Sequence, residues 1–135
     1  MTYSPRIAAA IANAMLDAGI GTVSDNGKLK IYDGAQPTNG GDAVTGQHLL
    51  VTLTLGSDAF PAAAAGVLTA NAITPGVAVY SSTATWFRLT KSDGTTVLLD
   101  GSVGTTGCDL NIASTTITIT DVIAATSMTI GEPLA

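Results

Sequence analysis

Apolar residues recur at every second position through most of the chain after Gly21, and this alternation restricts the fold more than any other feature. The segments "KLKIYDG", "LVTLTLG" and "TTITITD" all follow it, with lysine or threonine between the apolar residues. A period of two places successive side chains on opposite faces of a β-strand. The residues predicted to face inward are Leu29 and Ile31, then Val51, Leu53 and Leu55, then Ile117 and Ile119.

Four further segments, residues 65–73, 85–91, 95–101 and 127–131, bring the predicted count to about seven or eight strands. Turn-forming residues separate the strands at Asp25-Asn26-Gly27, Asn39-Gly40-Gly41, Ser92-Asp93-Gly94 and Asp100-Gly101. The clearest hairpin turn is Ser92-Asp93-Gly94, which joins the strand of Trp86 to that of Val97. Many short strands without crossover helices predict a mainly β fold, an antiparallel β-sandwich or jelly-roll-like barrel with one N-terminal helix.

The N-terminal segment "SPRIAAAIANAMLDAGIG" has a helical pattern instead. Ser4 suits a helix N-cap, Pro5 suits the first helical position, and Gly19 or Gly21 suits a left-handed C-terminal cap. Apolar residues recur along it every three or four positions: Ile7, Ala10, Ile11, Ala14, Met15 and Ala18. Such a stripe docks either on the chain's own sheet or on a neighbouring subunit, and the sequence leaves both open.

The length of 135 residues fits one domain. We expect a single domain over residues 1–135, made of an N-terminal helical arm (1–21) and a β-sandwich (22–135), with residues 33–47 as an exposed loop or arm. Only Arg6 precedes the apolar N-terminal run, and Asn13 and Asp17 interrupt it, so we expect no secretory signal peptide. No apolar run reaches the ~18 residues of a membrane-spanning helix.

Charge and composition argue against some classes of partner. Ten acidic residues against five basic ones, with a pI near 4.3, repel nucleic-acid phosphates and anionic lipids, so we expect neither nucleic acid nor membrane as a partner. Aromatic residues are only 4%, which makes the core thin. Threonine-faced strands with few lysines also leave sheet edges poorly protected. These features suit a protein stabilised by assembly, and we expect a homo-oligomer.

The sequence contains no recognisable pattern for catalysis, a cofactor or a metal. The one histidine is His48, and the only carboxylate near it in sequence is Asp42, which falls short of a triad. Cys108 alone forms no intramolecular disulfide, and the adjacent Asp109 disfavours a thiolate. Asp100 and Asp109 could contribute to a calcium site, but no D-x-D-x-D-G loop accompanies them. We therefore expect a non-enzymatic protein without cofactor or metal.

The segment "TWFRLTK" places large side chains on both faces of one strand. Trp86 and Arg88 point to one face, whereas Phe87 and Leu89 point to the other, so we expect both faces to be covered. One cover is the core, and the other is the N-terminal helix, a loop or another subunit. Arg88 is expected to stack on Trp86 or to pair with Asp100 across the hairpin. The candidate interface residues are Ile7, Ile11, Met15, Trp86 and Arg88.

A resemblance covers most of the chain after the N-terminal helix. The succession "GKLKIYDGAQPTNGGDAVTGQHLLVTLTL", "GVLTANAIT", "TATWFRLTKSDGTTVLLDGSVGTTGCDLNI" and "TTITIT" resembles a group of small Thr-, Ala- and Gly-rich virion proteins of tailed bacteriophages. The most specific part runs from Ala84-Thr85-Trp86 through Asp93-Gly94-Thr95 to Asp109-Leu110-Asn111. The matching residues form strands and turns, not an active site.

The resemblance implies a capsid decoration, or cement, protein that binds the exterior of the virion head and bridges neighbouring major capsid subunits. It also implies a homo-oligomer, most often a trimer, that is made in the host cytoplasm. Two other functions remain open at this point: a tail or head-to-tail connector protein, and a receptor- or carbohydrate-binding β-module. An acidic module suits the exterior of a shell better than its DNA-filled interior.

Overall fold

The computed structural model describes residues 8–131, and the fold of this part is mainly β with one α-helix. Helix α1 (Ala9–Leu16) is continued by a single π-helical turn over Asp17–Gly21. The strands are β1 (Lys28–Tyr32), β2 (Leu49–Leu55), β3 (Val67–Thr69), β4 (Ile73–Thr74), β5 (Gly76–Val77), β6 (Ser82–Thr83), β7 (Trp86–Thr90), β8 (Val97–Gly104), β9 (Leu110–Ile112), β10 (Thr116–Ile117), β11 (Val122–Ile123) and β12 (Ala125–Gly131). No helix within residues 8–131 is long and apolar enough to cross a bilayer.

Eight of these strands form one mixed sheet in the order β3-β12-β9-β8-β7-β1-β2-β4. Its edge strands, β3 and β4, are neighbours in sequence, because only residues 70–72 connect Thr69 to Ile73. An extended chain spans at most about 14 Å over that distance. Eight strands laid flat would hold the two edges about 33 Å apart, at ~4.8 Å per strand. The sheet therefore curls until its edges nearly meet, in the manner of a barrel.

The core lies on the inner face of this curled sheet, and the alternation in the sequence identifies most of it correctly. Leu29, Ile31, Val51 and Leu53 are fully buried, whereas the threonines and lysines between them stay partly exposed. The predicted hairpin is also confirmed, since β7 and β8 pair antiparallel across the turn at residues 92–94.

Two expectations about the β7–β8 region are wrong. Asp100-Gly101 is not a turn but lies inside β8, where a Cβ on Gly101 would approach Cε1 of Phe87 to 2.6 Å. Glycine is present there because the Phe87 ring occupies the space, not because the backbone turns. The sheet is also not purely antiparallel, since β8 and β9 pair in parallel, with Val103 opposite Leu110.

The parallel pair needs no crossover helix because residues 105–109 form a compact loop held by local hydrogen bonds. Gly107 adopts a left-handed conformation with φ of 69°. The backbone N–H of Cys108 donates to Oδ1 of Asn111 at 3.1 Å, and that of Asp109 donates to the Ser102 hydroxyl oxygen at 3.1 Å. These bonds fold the loop back on itself, so that β9 begins beside the last residues of β8 and runs in the same direction.

The prediction that Ile119 faces inward is wrong, although Ile117 is buried as expected. Strand β10 ends at Ile117, and the chain then turns, with the Asp121 N–H donating to the Thr118 carbonyl at 2.9 Å. Thr120 takes a positive φ of 77° within this turn. The alternation of period two ends with the strand, so the Ile119 side chain is exposed.

Candidate functional site

Polar and aromatic side chains are stacked on the outer face of β1, β7 and β8. The guanidinium of Arg88 binds both carboxylate oxygens of Asp100, through Nε at 2.7 Å and an Nη at 2.9 Å, as predicted from the hairpin. Its Cζ also lies 5.4 Å from the centre of the Trp86 ring, which stacks on Tyr32 at 4.6 Å. The hydrogen bonds that Arg88 donates to the Asp100 carboxylate raise the pKa of Arg88, and burial raises the pKa of the Tyr32 phenol. Arg88 is therefore charged and Tyr32 neutral at ordinary pH.

The cover over this stack is the chain's own loop, residues 33–47, which is one of the alternatives left open by the sequence. The indole N–H of Trp86 donates to the Asp33 carbonyl at 3.0 Å, and Arg88 donates to the Asp42 carbonyl at 2.7 Å. The Thr85 hydroxyl donates to the Gly34 carbonyl at 2.5 Å. Trp86 and Arg88 are consequently buried within the chain and offer almost no surface to another subunit.

A second polar cluster, the Asp33 cluster of Asp33, His48 and Ser82, lies where β1 ends and β2 begins. Asp33 accepts a hydrogen bond from the His48 backbone N–H at 2.6 Å, and its Oδ2 lies 2.9 Å from Nδ1 of His48. The Ser82 hydroxyl donates to the same Oδ2 at 2.9 Å. The His48 ring stacks on Tyr80 with 4.3 Å between ring centres. The carboxylate that orients His48 is therefore Asp33, 15 residues away in the sequence, and not Asp42, the carboxylate nearest to it in the sequence.

The Asp33 cluster has the residue types of a catalytic triad without its order of contacts. In a triad, the imidazole lies between the carboxylate and the nucleophile. Here the Ser82 hydroxyl gives its hydrogen to Asp33, so its oxygen is not activated by His48. Burial raises the pKa of Asp33, but hydrogen bonds from His48 and Ser82 outweigh it and lower the pKa below its usual value. The carboxylate is thus an ionised anchor for the loop.

Residues considered as metal ligands are engaged elsewhere. Asp100 is occupied by Arg88, and Asp109 accepts from the Ser102 N–H at 3.1 Å. Within the part of the chain that the structure describes, no three His, Cys, Asp or Glu side chains come together as metal ligands. Cys108 is half-buried, with its sulfur against Gly104, where an added Cβ would lie 2.5 Å from Sγ. Its packing explains the glycine at position 104.

Helix α1 and its π-helical turn contact the body of the protein through two polar side chains, Asn13 and Asp17, and through apolar Leu16. Oδ1 of Asn13 accepts from the Gly66 N–H at 2.8 Å, and Oδ1 of Asp17 accepts from the Ala63 N–H at 2.8 Å. Leu16 of α1 enters the core, and Ile20 of the π-helical turn packs against it. The side chains of the predicted apolar stripe point outward and form the helix outer face: Ala10, Ile11, Ala14, Met15 and Ala18. Ile11 is 56% exposed and Met15 is 50% exposed.

The N-terminal segment differs in part from its prediction. The helix docks on the chain's own body through Asn13, Leu16 and Asp17, while Ile11 and Met15 of the apolar stripe stay exposed. Gly19 and Gly21 have no positive φ, so the predicted left-handed cap is wrong and the chain continues through the π-helical turn. Ile7, Ser4 and Pro5 lie outside the described residues.

A second apolar surface, the end patch, consists of Val77, Val79, Ile119 and Val122, each more than half exposed. Val77 and Val122 are directly paired across β5 and β11, so their side chains lie together. The patch lies beside Leu50 at the start of β2, since the Val79 N–H donates to the Leu50 carbonyl at 2.8 Å. The chain that follows helix α1 instead reaches Gly27. The Gly27 carbonyl accepts a hydrogen bond from the Leu55 N–H, at the other end of β2. The two apolar surfaces therefore lie toward opposite ends of the barrel.

Only part of this arrangement could have been found in the sequence. Pairing "KLKIYD" with "HLLVTLTL" as one hairpin would have brought Asp33 to His48.

Comparison of the chain with protein-family models, with curated proteins and with solved structures finds no match.

Proposed function

We propose that this protein is a non-enzymatic capsid decoration protein of a tailed bacteriophage, which binds the exterior of the head as a homo-oligomer and bridges major capsid subunits. The resemblance of its strand and turn sequences to small phage virion proteins supports the phage assignment. The orientation of α1, whose apolar side faces outward, carries the assignment to assembly. The absence of an activated nucleophile in the Asp33 cluster fits a role without chemistry.

The outward orientation of α1 is fixed by bonding, so it is a property of the fold. Asn13 and Asp17 satisfy two backbone N–H groups of the 63–66 segment, and turning the helix over would break both bonds. The monomer therefore leaves Ile11 and Met15 in water. Covering the exposed half of each side chain is worth about 1 kcal/mol, from the ~1.5–3 kcal/mol of full burial. Contacts of this size become strong when several act together on one shell.

We assign each of the two apolar surfaces to a different contact of a bridging protein. We assign the helix outer face to contacts between copies of this chain, because it carries no charge and a net charge of −5 opposes the approach of copies elsewhere. We assign the end patch to the major capsid protein. A decoration protein needs both kinds of contact, and their separation along the barrel lets both form at once.

The copy number of the chain in purified particles tests the function. Quantitative mass spectrometry is expected to give a ratio to the major capsid protein near one, or about one-third for one copy per three-fold site. A ratio many times smaller would favour the tail, connector or receptor-binding functions. Absence of the chain from particles would overturn the virion assignment.

Two variants test the two surfaces separately. The double variant Ile11→Gln, Met15→Gln keeps good helix formers at exposed positions and is expected to reduce the oligomer seen by native mass spectrometry. Val122→Gln in the end patch is the matched control, expected to keep the oligomer while lowering occupancy on the shell. An oligomer unchanged by the double variant, or a wild-type chain that stays monomeric at high concentration, would overturn the role of α1.

A further inference from the structure

The chain contains two Asn-Gly steps, Asn26-Gly27 and Asn39-Gly40. The two steps differ in the hydrogen bonding and packing of their glycines. Asparagine is one of the thermally labile residues of proteins. The next backbone nitrogen can attack its side-chain carbonyl carbon. Glycine at the next position favours this attack, since it has no Cβ to obstruct the approach. Whether the attack occurs then depends on how freely the glycine nitrogen can move.

The Asn39-Gly40 step is open. It lies at an exposed turn in which the Asp42 N–H donates to the Asn39 carbonyl at 3.2 Å, with Gly41 at a φ of 89°. The Gly40 N–H donates to no group within residues 8–131. A Cβ built on Gly40 would meet no atom within 4 Å, and Gly40 is exposed.

The Asn26-Gly27 step is closed. The Gly27 N–H donates to the Ser24 carbonyl at 2.7 Å, and the Asn26 N–H donates to the Gly56 carbonyl at 2.8 Å. A Cβ on Gly27 would lie 2.7 Å from the carbonyl oxygens of Ser24 and Thr90. The nitrogen that would have to move is therefore both hydrogen-bonded and packed between backbone atoms.

We propose that Asn39 is a site of spontaneous deamidation in the folded protein and that Asn26 is protected. The Gly40 nitrogen attacks Cγ of Asn39 and loses its proton, the side-chain nitrogen leaves as ammonia, and a succinimide ring forms. Water then opens the ring at either carbonyl and leaves aspartate or isoaspartate at position 39. One water is consumed and one ammonia is released, so no oxidant, metal or enzyme is needed.

The modification changes the loop that covers Arg88. Nδ2 of Asn39 now donates to Oδ2 of Asp42 at 3.2 Å, and the Asn39 N–H donates to the same oxygen at 3.1 Å. Deamidation replaces the donor NH₂ with a second carboxylate facing that of Asp42, and like charges at this separation repel. Because the Asp42 carbonyl caps Arg88 at 2.7 Å, the repulsion acts on the contact that holds the loop down. We expect the aged protein to hold this loop less tightly.

Timed incubation of the full-length protein at mildly alkaline pH tests the proposal, with peptide mapping by mass spectrometry to measure conversion at positions 39 and 26. We expect conversion at Asn39 with little at Asn26, whereas a urea-unfolded sample converts both at similar rates. Gly40→Ala is the matched variant, since alanine fits there, and it is expected to slow conversion at Asn39 severalfold without changing thermal stability. Conversion of Asn26 as fast as Asn39 in the folded protein, or an Asn39 that stays unmodified while the unfolded sample reacts, would overturn the proposal.

Discussion

Replacing Asp100 by alanine is expected to lower the free energy of unfolding by about 3–5 kcal/mol, the range for breaking a buried ion pair from one side. The Asp100 side chain is 2% exposed and that of Arg88 is 8% exposed, so water cannot replace the lost carboxylate. The change removes two charge-assisted hydrogen bonds at 2.7 and 2.9 Å, each worth about 1.5–3 kcal/mol. Among residues 8–131, the guanidinium then keeps the Asp42 carbonyl and the face of Trp86.

A variant without either charge shows how much of this loss comes from leaving the Arg88 charge unpaired. The double variant Arg88→Met, Asp100→Leu removes both charges, and we expect it to be more stable than Asp100→Ala by at least ~2 kcal/mol, because neither buried charge is left alone. Urea unfolding measures both, followed by the fluorescence of Trp86, the only tryptophan and fully buried, and by circular dichroism. A loss of less than ~1 kcal/mol in Asp100→Ala would refute the reasoning, since it would mean that the guanidinium finds water in the folded state.

Two further predictions concern a glycine and an acid. Gly76→Ala would place a Cβ 2.1 Å from the Thr52 carbonyl oxygen, so we expect a loss of more than ~3 kcal/mol or no soluble protein, whereas Gly19→Ala, with no atom within 4 Å, should change thermal stability by less than ~1 kcal/mol. Hydrogen bonds from the Thr96 hydroxyl and from the Thr96 and Thr95 backbone amides hold the pKa of Asp93 at about 2, below its ordinary value of 3.8. The stabilisation is therefore complete above pH ~4 and is lost as the pH falls through about 2. The urea midpoint should fall more steeply between these pH values in the wild type than in Asp93→Asn, and equal slopes would contradict the assignment.

The alternation in the sequence predicted the strands because the interior of a curled sheet accepts every second side chain. The alternation failed at Ile119, where the strand ends before the pattern does. The turn prediction failed at Gly101, where glycine makes room for the Phe87 ring inside β8. Local sequence carries no information about which ring lies across the sheet. The parallel pairing of β8 and β9 was also missed. It depends on a five-residue loop whose backbone N–H groups bond to the side chains of Ser102 and Asn111, and these contacts are not visible in the sequence.

The candidate site was predicted in part. The contacts of Arg88 with Asp100 and Trp86 follow from strand register, which a hairpin turn makes readable in the sequence. The partner of His48 was missed because Asp33 is 15 residues away and meets it only when β1 pairs with β2. The helix stripe was recognised, but its direction depends on Asn13 and Asp17 finding backbone N–H groups at residues 63–66. Periodicity identifies a face of a helix without saying what it meets.

The short edges of the curled sheet limit how copies of this protein can join. Edge strand β3 has three residues and β4 has two, and residues 70–72 tie them together, so little unpaired backbone is available for another chain to extend the sheet. A chain rich in threonine, with only 11% charged residues, would otherwise risk edge-to-edge aggregation and fibril growth. The assembly proposed above therefore relies on contacts between side-chain surfaces. Contacts of that kind can form a closed complex that stops growing, whereas strand addition has no natural end.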